Sequence, residues 1–202
     1  VGRLLHHPRV DDGVLVMAVG DHGEGLGEHG EKTHGLLVYD STLLVPWIVR
    51  LPGAASPVRV GDPVSQVDMV PTIMDLLTLD TGGEATDVDG RILVPLLRGE
   101  ARGGSPPIFA ESEVPFLAYG WTRLRSVRRD SLKLIEAPVA ELYDLDHDPA
   151  ETMNLAPQRP DDVARLSALV DSWVSRGTAS NGTVDVDAET TAMLRALGYV
   201  TG

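Results

Sequence analysis

A continuous apolar run that ends in a glycine-rich polar loop constrains this chain most. Residues 14–19, VLVMAV, contain no polar side chain, and residues 20–35, GDHGEGLGEHGEKTHG, follow at once. A short run of this kind, rich in β-branched residues, is typical of a strand buried on both faces of a parallel sheet. In open α/β sheets the ligand crevice lies beyond the carboxyl ends of the strands. The pattern therefore predicts an α/β fold with a polar site in residues 20–35.

The charge and composition of the 202 residues exclude several classes of protein. The formal net charge is −13 and only 17 Lys and Arg are present, so the clustered positive charge that a nucleic-acid surface needs is missing. No apolar stretch in the sequence approaches the length of about 20 residues that spans a bilayer. The sequence contains six His and no Cys, so a metal ion would be held by oxygen and imidazole ligands.

Asp21 and His22 stand directly after the predicted strand and are candidate metal ligands. A carboxylate oxygen and an imidazole nitrogen suit Ca²⁺, Mg²⁺, Mn²⁺ or Zn²⁺, depending on the remaining ligands. The two residues alone leave a second interpretation open, in which Asp21 caps the loop and His22 forms a hydrogen bond with the backbone. An ordering or solvated role is favoured for the other ligand-type side chains of the loop, which are Glu24, Glu28, His29 and Glu31.

The pattern of the remaining chain predicts a change of architecture near residue 105. Residues 45–50 are predicted to form a second buried strand, 68–77 an amphipathic helix with Asp68 as its N-cap, and 91–98 a shorter helix. The Gly/Pro-rich stretch 99–107 is the candidate boundary between two domains, 1–104 and 105–202. After it, PIFAES, RLRSVRRDSLKLIEA and AELYDL predict short strands with a hairpin turn at 129–131, and 159–176 has helical periodicity.

Both ends of the chain are also predicted to be helical. Val1, Leu4 and Leu5 have helical spacing, as in the last turns of a helix that is entered midway, and residues 187–200 are predicted to form a final short helix. The sequence begins with neither Met nor a charged and then apolar leader. We therefore interpret the N-terminus as a truncation.

The stretch GDHGEGLGEHGEKTHGLLVYDSTLLVPWIVRLPG resembles the sulfatase family of the alkaline phosphatase superfamily. Further segments carry the same resemblance in the same order, so that it covers essentially the whole chain: VDMVPTIMDLLTL, DGRILVPLLRG, LRSVRRDSLKLIEAPVAELYDLDHDPAETMNLA and LRALGYV. The resemblance implies that residues 1–104 are the C-terminal part of an alkaline-phosphatase-like domain, whose mainly parallel sheet is flanked by helices. It implies a small antiparallel sheet with a packed helix in residues 105–202.

The resemblance also implies roles for individual residues of the loop. Asp21 and His22 fall on the family's metal pair, which in sulfatases commonly binds Ca²⁺, with Mn²⁺, Mg²⁺ or Zn²⁺ as alternatives. Thirteen positions after this aspartate many members have a lysine that contacts the sulfate or phosphate oxygens, and here that position is His34. Imidazolium, or a neutral imidazole that donates one hydrogen bond, can make the same contact. Lys32 is the substitute if the register of the loop differs.

The activity that the resemblance implies is hydrolysis of a sulfate ester, from a small molecule or a carbohydrate. In sulfatases the nucleophile is a formylglycine made from Cys or Ser in a CxPSR-like motif; this chain contains no such motif, and we expect it upstream of Val1. The chain alone is therefore expected to be inactive. The resemblance favours a periplasmic or secreted location. The alternatives are a phosphoester or phosphonate monoester hydrolase, a phosphoethanolamine or phosphoglycerol transferase, and a non-catalytic module of the same fold.

Overall fold

The computed structural model describes residues 13–53, 57–79, 88–100 and 104–177 of the chain. The strands are β1 (Val16–Val19), β2 (Trp47–Arg50), β3 (Ile108–Ser112), β4 (Leu124–Arg129), β5 (Leu132–Glu136) and β6 (Glu141–Asp144). The helices are α1 (Asp40–Leu43), α2 (Met69–Leu76), α3 (Val94–Leu97), α4 (Val114–Tyr119) and α5 (Pro160–Gly177), and short 3-10 turns cover Glu28–Gly30 and Gln66–Asp68. None of the described helices is long and apolar enough to cross a membrane.

The chain divides into two compact units, Val1–Val170 and Asp171–Gly202. The first contains all of the described strands, helices α1 to α4 and most of α5. In the second, the described residues are the last turns of α5, where the Arg176 guanidinium donates to the Ser172 hydroxyl at 3.1 Å. The predicted terminal helices lie outside the described residues. The domain boundary between residues 104 and 105 stays a prediction.

Strands β1 and β2 form a two-stranded antiparallel ladder, in which Val16 pairs with Arg50 and Val19 with Trp47. Both strands lie within the residue ranges predicted for them, 14–19 and 45–50. The two apolar runs predict no direction for this pair, which is antiparallel. A continuous apolar run indicates that both faces of a strand are covered. It does not predict the direction of the neighbouring strand. The residues of β1 are also only half-buried among the described parts of the chain.

Helix α2 confirms the amphipathic helix predicted over residues 68–77, but Asp68 does not cap it as expected. The Asp68 carboxylate accepts hydrogen bonds from the backbone amides of Ser65 (2.9 Å) and Arg91 (2.8 Å). Asp68 is thus the last residue of a capping box that begins at Ser65 and closes the 3-10 turn before α2. Its bond to Arg91 also ties this turn to the segment that leads into α3.

Strands β3, β4, β5 and β6 form an antiparallel sheet in that order, which confirms the strands predicted after residue 105. Arg129 pairs with Leu132, so the hairpin between β4 and β5 turns at residues 130 and 131. Asp130 has a left-handed φ of 57° there, a conformation that Asp tolerates better than most residues. Helix α5 confirms the helix predicted over 159–176, and Leu166 and Val170 on it are buried.

One face of this sheet is an apolar core. Side chains alternate along a strand, so Leu134 shares its face with its cross-strand neighbours Val127 and Leu142. All three side chains are completely buried. These three side chains therefore stabilise the sheet through the hydrophobic effect.

The opposite face of the sheet, which we call the loop face, combines polar and apolar side chains. It carries Lys133 and Ile135 of β5, paired with Tyr143 and Glu141 of β6. Val38, from the segment before α1, is buried in an apolar cluster with Ile135 and Tyr143. The segment that follows the polar loop is therefore packed onto this sheet.

Candidate functional site

The polar loop is anchored where it leaves β1. The backbone amide of Gly20 donates to the carbonyl of Pro46 at 3.1 Å, which extends the ladder between β1 and β2. The side-chain amide of Gln66 donates to the carbonyls of Gly20 (2.6 Å) and Asp21 (2.9 Å). Two separate segments of the chain thus hold the backbone at Asp21.

The Asp21 carboxylate projects into solvent beyond the end of β1, with 88% of the side chain exposed. Oδ1 accepts a hydrogen bond from the backbone amide of His22 at 3.0 Å. This bond favours the charged form and holds the pKa of Asp21 below its usual value. Asp21 is therefore ionised at neutral pH, the state in which a carboxylate binds metal ions.

His22 presents one imidazole nitrogen beside this carboxylate. Nδ1 lies 2.8 Å from the carbonyl oxygen of Gly23, which can only accept, so in the neutral ring Nδ1 carries the proton and Nε2 the lone pair. Nε2 lies 3.8 Å from Oδ2 of Asp21. Ligand atoms about 2.0–2.5 Å from one ion are at most about 5 Å apart, so the two atoms fit a shared divalent cation. Within the described ranges no group of three or more His, Cys, Asp or Glu could hold a metal ion, so Asp21 and His22 do not form a complete metal site with other described residues.

His34 lies against His22. The two imidazole rings stack with their centroids 3.7 Å apart and an interplanar angle of 24°. Nδ1 of His34 lies 3.3 Å from Oε2 of Glu24, and the two form an ion pair when His34 is protonated. The structure thus brings His34 to the predicted metal pair. Lys32 is exposed and takes no part in the described contacts of this cluster.

The sequence predicts the ordering role of Glu31 but not the contact between Glu24 and His34. The sequence does not predict Glu24 as a partner of His34, because ten positions separate the two and no helical or strand spacing links them. Glu31 has the predicted ordering role. It is 4% exposed, and its two carboxylate oxygens accept hydrogen bonds from the backbone amides of Leu36 (2.8 Å) and Leu37 (3.0 Å). The buried carboxylate of Glu31 therefore joins the polar loop to the segment that follows it.

Aromatic side chains fasten the loop to the loop face of the sheet. The ring of His29 stacks on that of Tyr39 at 3.6 Å, and its Nε2 lies 3.1 Å from the carbonyl of Ala150. The hydroxyls of Tyr39 and Tyr143 both donate to Oε2 of Glu141, at 2.6 and 2.7 Å. Burial raises the pKa of both tyrosines, and their bonds to Glu141 raise it further. Both hydroxyls therefore stay protonated donors at neutral pH.

Gly23 fits between His22 and α1 because it has no side chain. Its amide donates to the Thr42 carbonyl at 2.8 Å. A Cβ atom at this position would lie 2.3 Å from the carbonyl oxygen of Ser41. The loop therefore approaches the backbone of α1 more closely than any residue with a side chain allows.

The amino-acid sequence is similar to those of sulfatases. The family model described as Sulfatase matches residues 2–79. A Delta 4,5-hexuronate-2-O-sulfatase of Bacteroides thetaiotaomicron is 28% identical over 193 residues, which are 92% of this chain and 40% of that protein. A choline-sulfatase of Rhizobium meliloti is 30% identical over 171 residues, which are 83% of this chain and 32% of that protein. The chain thus spans about two fifths or less of the length of these relatives.

The fold of this chain is also similar to that of solved structures. A phosphonate monoester hydrolase from Silicibacter pomeroyi matches with a TM-score of 0.72 and 28% identity, over 87% of this chain and 38% of that one. The described residues therefore form part of an alkaline-phosphatase-like α/β fold. Together with the sequence matches, this likeness supports the sulfatase family of the alkaline phosphatase superfamily for this chain.

Proposed function

We propose that the full-length protein is a sulfuric ester hydrolase and that this chain contributes Asp21 and His22 to its divalent metal site. The observation that carries the proposal is the pairing, at the end of β1, of an exposed, ionised carboxylate with Nε2 of His22 at 3.8 Å. Ca²⁺ is the proposed ion, with Mn²⁺, Mg²⁺ or Zn²⁺ as alternatives. Such an ion neutralises the negative charge on the oxygens of the reacting ester.

His34 is proposed to contact the sulfate group of the substrate. Its side chain is 44% exposed and lies beside the metal pair. When the ring is protonated, Nδ1 donates to Glu24 and Nε2 is left to donate to a sulfate oxygen. Lys32 is the alternative contact, since its ammonium is also a donor to anions and lies on the same loop.

The proposed substrate is a sulfate ester of a carbohydrate or another small molecule. The names of two relatives, a hexuronate sulfatase and a choline-sulfatase, support sulfate esters and represent both kinds of leaving group. A formylglycine nucleophile is proposed to lie outside residues 1–202, and we propose that residues 1–104 belong to the catalytic domain and 105–202 to a C-terminal subdomain.

A phosphonate monoester hydrolase is the second candidate. The structural match to an enzyme of that name supports it, with a TM-score of 0.72 and 28% identity. Oxygens of a phosphonate or sulfate group would make the same kind of contact with a cation and with His34. The two candidates therefore differ in the ester that is cleaved and not in the proposed roles of these residues.

The test measures ester turnover and Ca²⁺ affinity of the full-length protein. Aryl, choline and hexuronate sulfates are compared with an aryl phosphonate monoester. We expect Asp21→Ala and His22→Ala each to raise the Kd for Ca²⁺ by at least about tenfold and to lower kcat. Glu28→Gln, an exposed side chain of the same loop, is the control and should change neither.

The outcomes separate the candidates. Faster turnover of the phosphonate than of every sulfate would favour the second candidate. Unchanged Ca²⁺ affinity in Asp21→Ala, repeated with Mn²⁺, Mg²⁺ and Zn²⁺, would contradict the metal role. No turnover of any ester by the full-length protein would favour a non-catalytic module.

A further inference from the structure

A buried ionic cluster joins α1 to the loop face of the sheet. The Lys133 side chain is 2% exposed, and its Nζ donates to Oδ1 of Asp40 at 2.7 Å. Nζ also lies 2.8 Å from Oε1 of Glu151, an ionic contact at an angle outside hydrogen-bond geometry. Buried lysines are rare unless they are paired. Lys133 is therefore held in place by two carboxylates from other segments of the chain.

Glu151 fixes the start of α1 directly. Its Oε2 accepts the backbone amide of Asp40 at 2.6 Å. The residue is 2% exposed and has a left-handed φ of 54°, which is uncommon for a residue other than Gly, Asn or Asp. Such a conformation persists only where the surroundings hold it. Arg128, whose NH1 lies 3.6 Å from Oδ2 of Asp40, adds a second positive charge to the cluster.

A short series of hydrogen bonds leads from this cluster to the proposed metal ligand. Asp40 is the first residue of α1, and two residues later the Thr42 carbonyl accepts the amide of Gly23 at 2.8 Å. The carbonyl of Gly23 in turn holds Nδ1 of His22 at 2.8 Å. The close contact between Gly23 and Ser41 leaves this connection little room to move. The direction of the His22 ring thus depends on where α1 lies.

The ionic cluster is not required merely to attach α1 to the sheet. The preceding segment is already attached by the burial of Val38 and by the bond between Tyr39 and Glu141. A buried ion pair also contributes little net stability compared with apolar side chains of similar volume. A buried ion pair does fix the orientation of the groups that it joins, because hydrogen bonds to charged groups are strong and geometrically specific. The cluster therefore fits a role in orientation.

We infer that Lys133 is a positioning residue for His22, acting through Asp40, α1 and Gly23. The inference rests on the proposed function insofar as it treats His22 as a metal ligand. It adds that the antiparallel sheet, and not only the loop itself, sets the geometry of the metal pair.

The test compares variants of the full-length protein in two measurements. Amide hydrogen exchange around Gly23 is measured without metal, relative to the amide of Leu134 in the core, and the Kd for Ca²⁺ is measured by calorimetry. In Lys133→Met we expect exchange around Gly23 to rise at least about tenfold more than at Leu134, and the Kd for Ca²⁺ to rise at least about tenfold. Lys133→Arg should recover part of both effects. Arg129→Met removes an exposed ion pair of the same sheet and should change neither.

A folded Lys133→Met protein with wild-type exchange around Gly23 would overturn the inference. An equal rise at Gly23 and Leu134 would also overturn it, because Lys133 would then contribute only general stability. If Lys133→Met does not fold, the combination of Lys133→Met, Asp40→Asn and Glu151→Gln removes the charge of Lys133 together with those of its two carboxylate partners, and the same expectations apply. If the wild-type protein binds no divalent ion, the proposed function fails, and exchange in the metal-free protein still decides the role of Lys133.

Discussion

The substitution Gly23→Ala tests how closely the polar loop must approach α1. The added methyl carbon would lie 2.3 Å from the Ser41 carbonyl oxygen and 3.1 Å from the Cα of Thr42. Since contacts under 3.0 Å are essentially never made, the loop and α1 must separate by at least about 0.7 Å. The φ of Gly23 lies outside the left-handed region, so the expected cost comes from this contact and not from backbone strain.

This separation of the loop from α1 would disturb the contacts of Gly23 and those of α1. The hydrogen bond from the Gly23 amide to Thr42 lengthens, and α1 can retreat only by disturbing Asp40, which Lys133 and Glu151 hold. Overpacking of a close contact costs about 1–3 kcal/mol in the free energy of unfolding. A displacement approaching 1 Å at a functional site can reduce the rate about a hundredfold. We therefore expect a loss of about 1–3 kcal/mol in stability and weaker Ca²⁺ binding.

Urea denaturation followed by circular dichroism measures the change in stability. The matched control is Gly61→Ala, because a Cβ atom at Gly61 would have no neighbour within 4 Å and the φ there is also outside the left-handed region. We expect the control to be neutral or slightly stabilising, by up to about 1 kcal/mol. If Gly23→Ala is as stable as Gly61→Ala and binds Ca²⁺ equally well, the reasoning about the close contact is refuted.

Three further predictions address the sheet, the loop and the pH dependence of stability. Leu134→Ala should lower the free energy of unfolding by about 2–5 kcal/mol in urea denaturation, because the side chain is completely buried; a loss below about 1 kcal/mol would contradict its place in the core. Glu31→Gln should cost about 1–3 kcal/mol in the same assay, since an amide group replaces one of two oxygens that accept backbone amides, and an unchanged midpoint would contradict that role. The backbone amide of Met153 lowers the pKa of Asp148, so the carboxylate stabilises the folded state above its ordinary pKa of 3.8, and this contribution is lost as the pH falls below that value. The difference in thermal stability between the wild type and Asp148→Asn should therefore shrink on acidification, and a constant difference would contradict the assignment.

Much of the architecture could be predicted because its signals are local. The hairpin between β4 and β5 follows from two short segments of strand type separated by a polar turn, and Asp130 takes the left-handed conformation that such a turn needs. The direction of β2 relative to β1 could not be predicted, because it depends on contacts between residues such as Val16 and Arg50 that are far apart in the chain. Local patterns of hydrophobicity hold no information about such pairing.

The site shows the same distinction between local and distant signals. Asp21 and His22 could be selected because they follow a predicted strand directly, and the approach of His34 was predicted only through resemblance to a family. The position of Lys133 could not be predicted, since a lysine in a strand is expected to face solvent. Its burial depends on Asp40, which lies 93 positions earlier in the sequence.

Non-directional and directional forces hold different aspects of the loop, the first its closeness to the sheet and the second its orientation. Burial of Val38 on the loop face of the sheet holds the segment close to the sheet but tolerates rotation and sliding. The bonds of Asp40 to Lys133 and Glu151 fix the start of α1 in direction, and the Gly23 contact transmits that direction to the loop. The backbone of the loop is thus constrained while the Asp21 carboxylate remains largely exposed. This combination is what ion binding requires, because a ligand group must be oriented in advance and still be open to the ion.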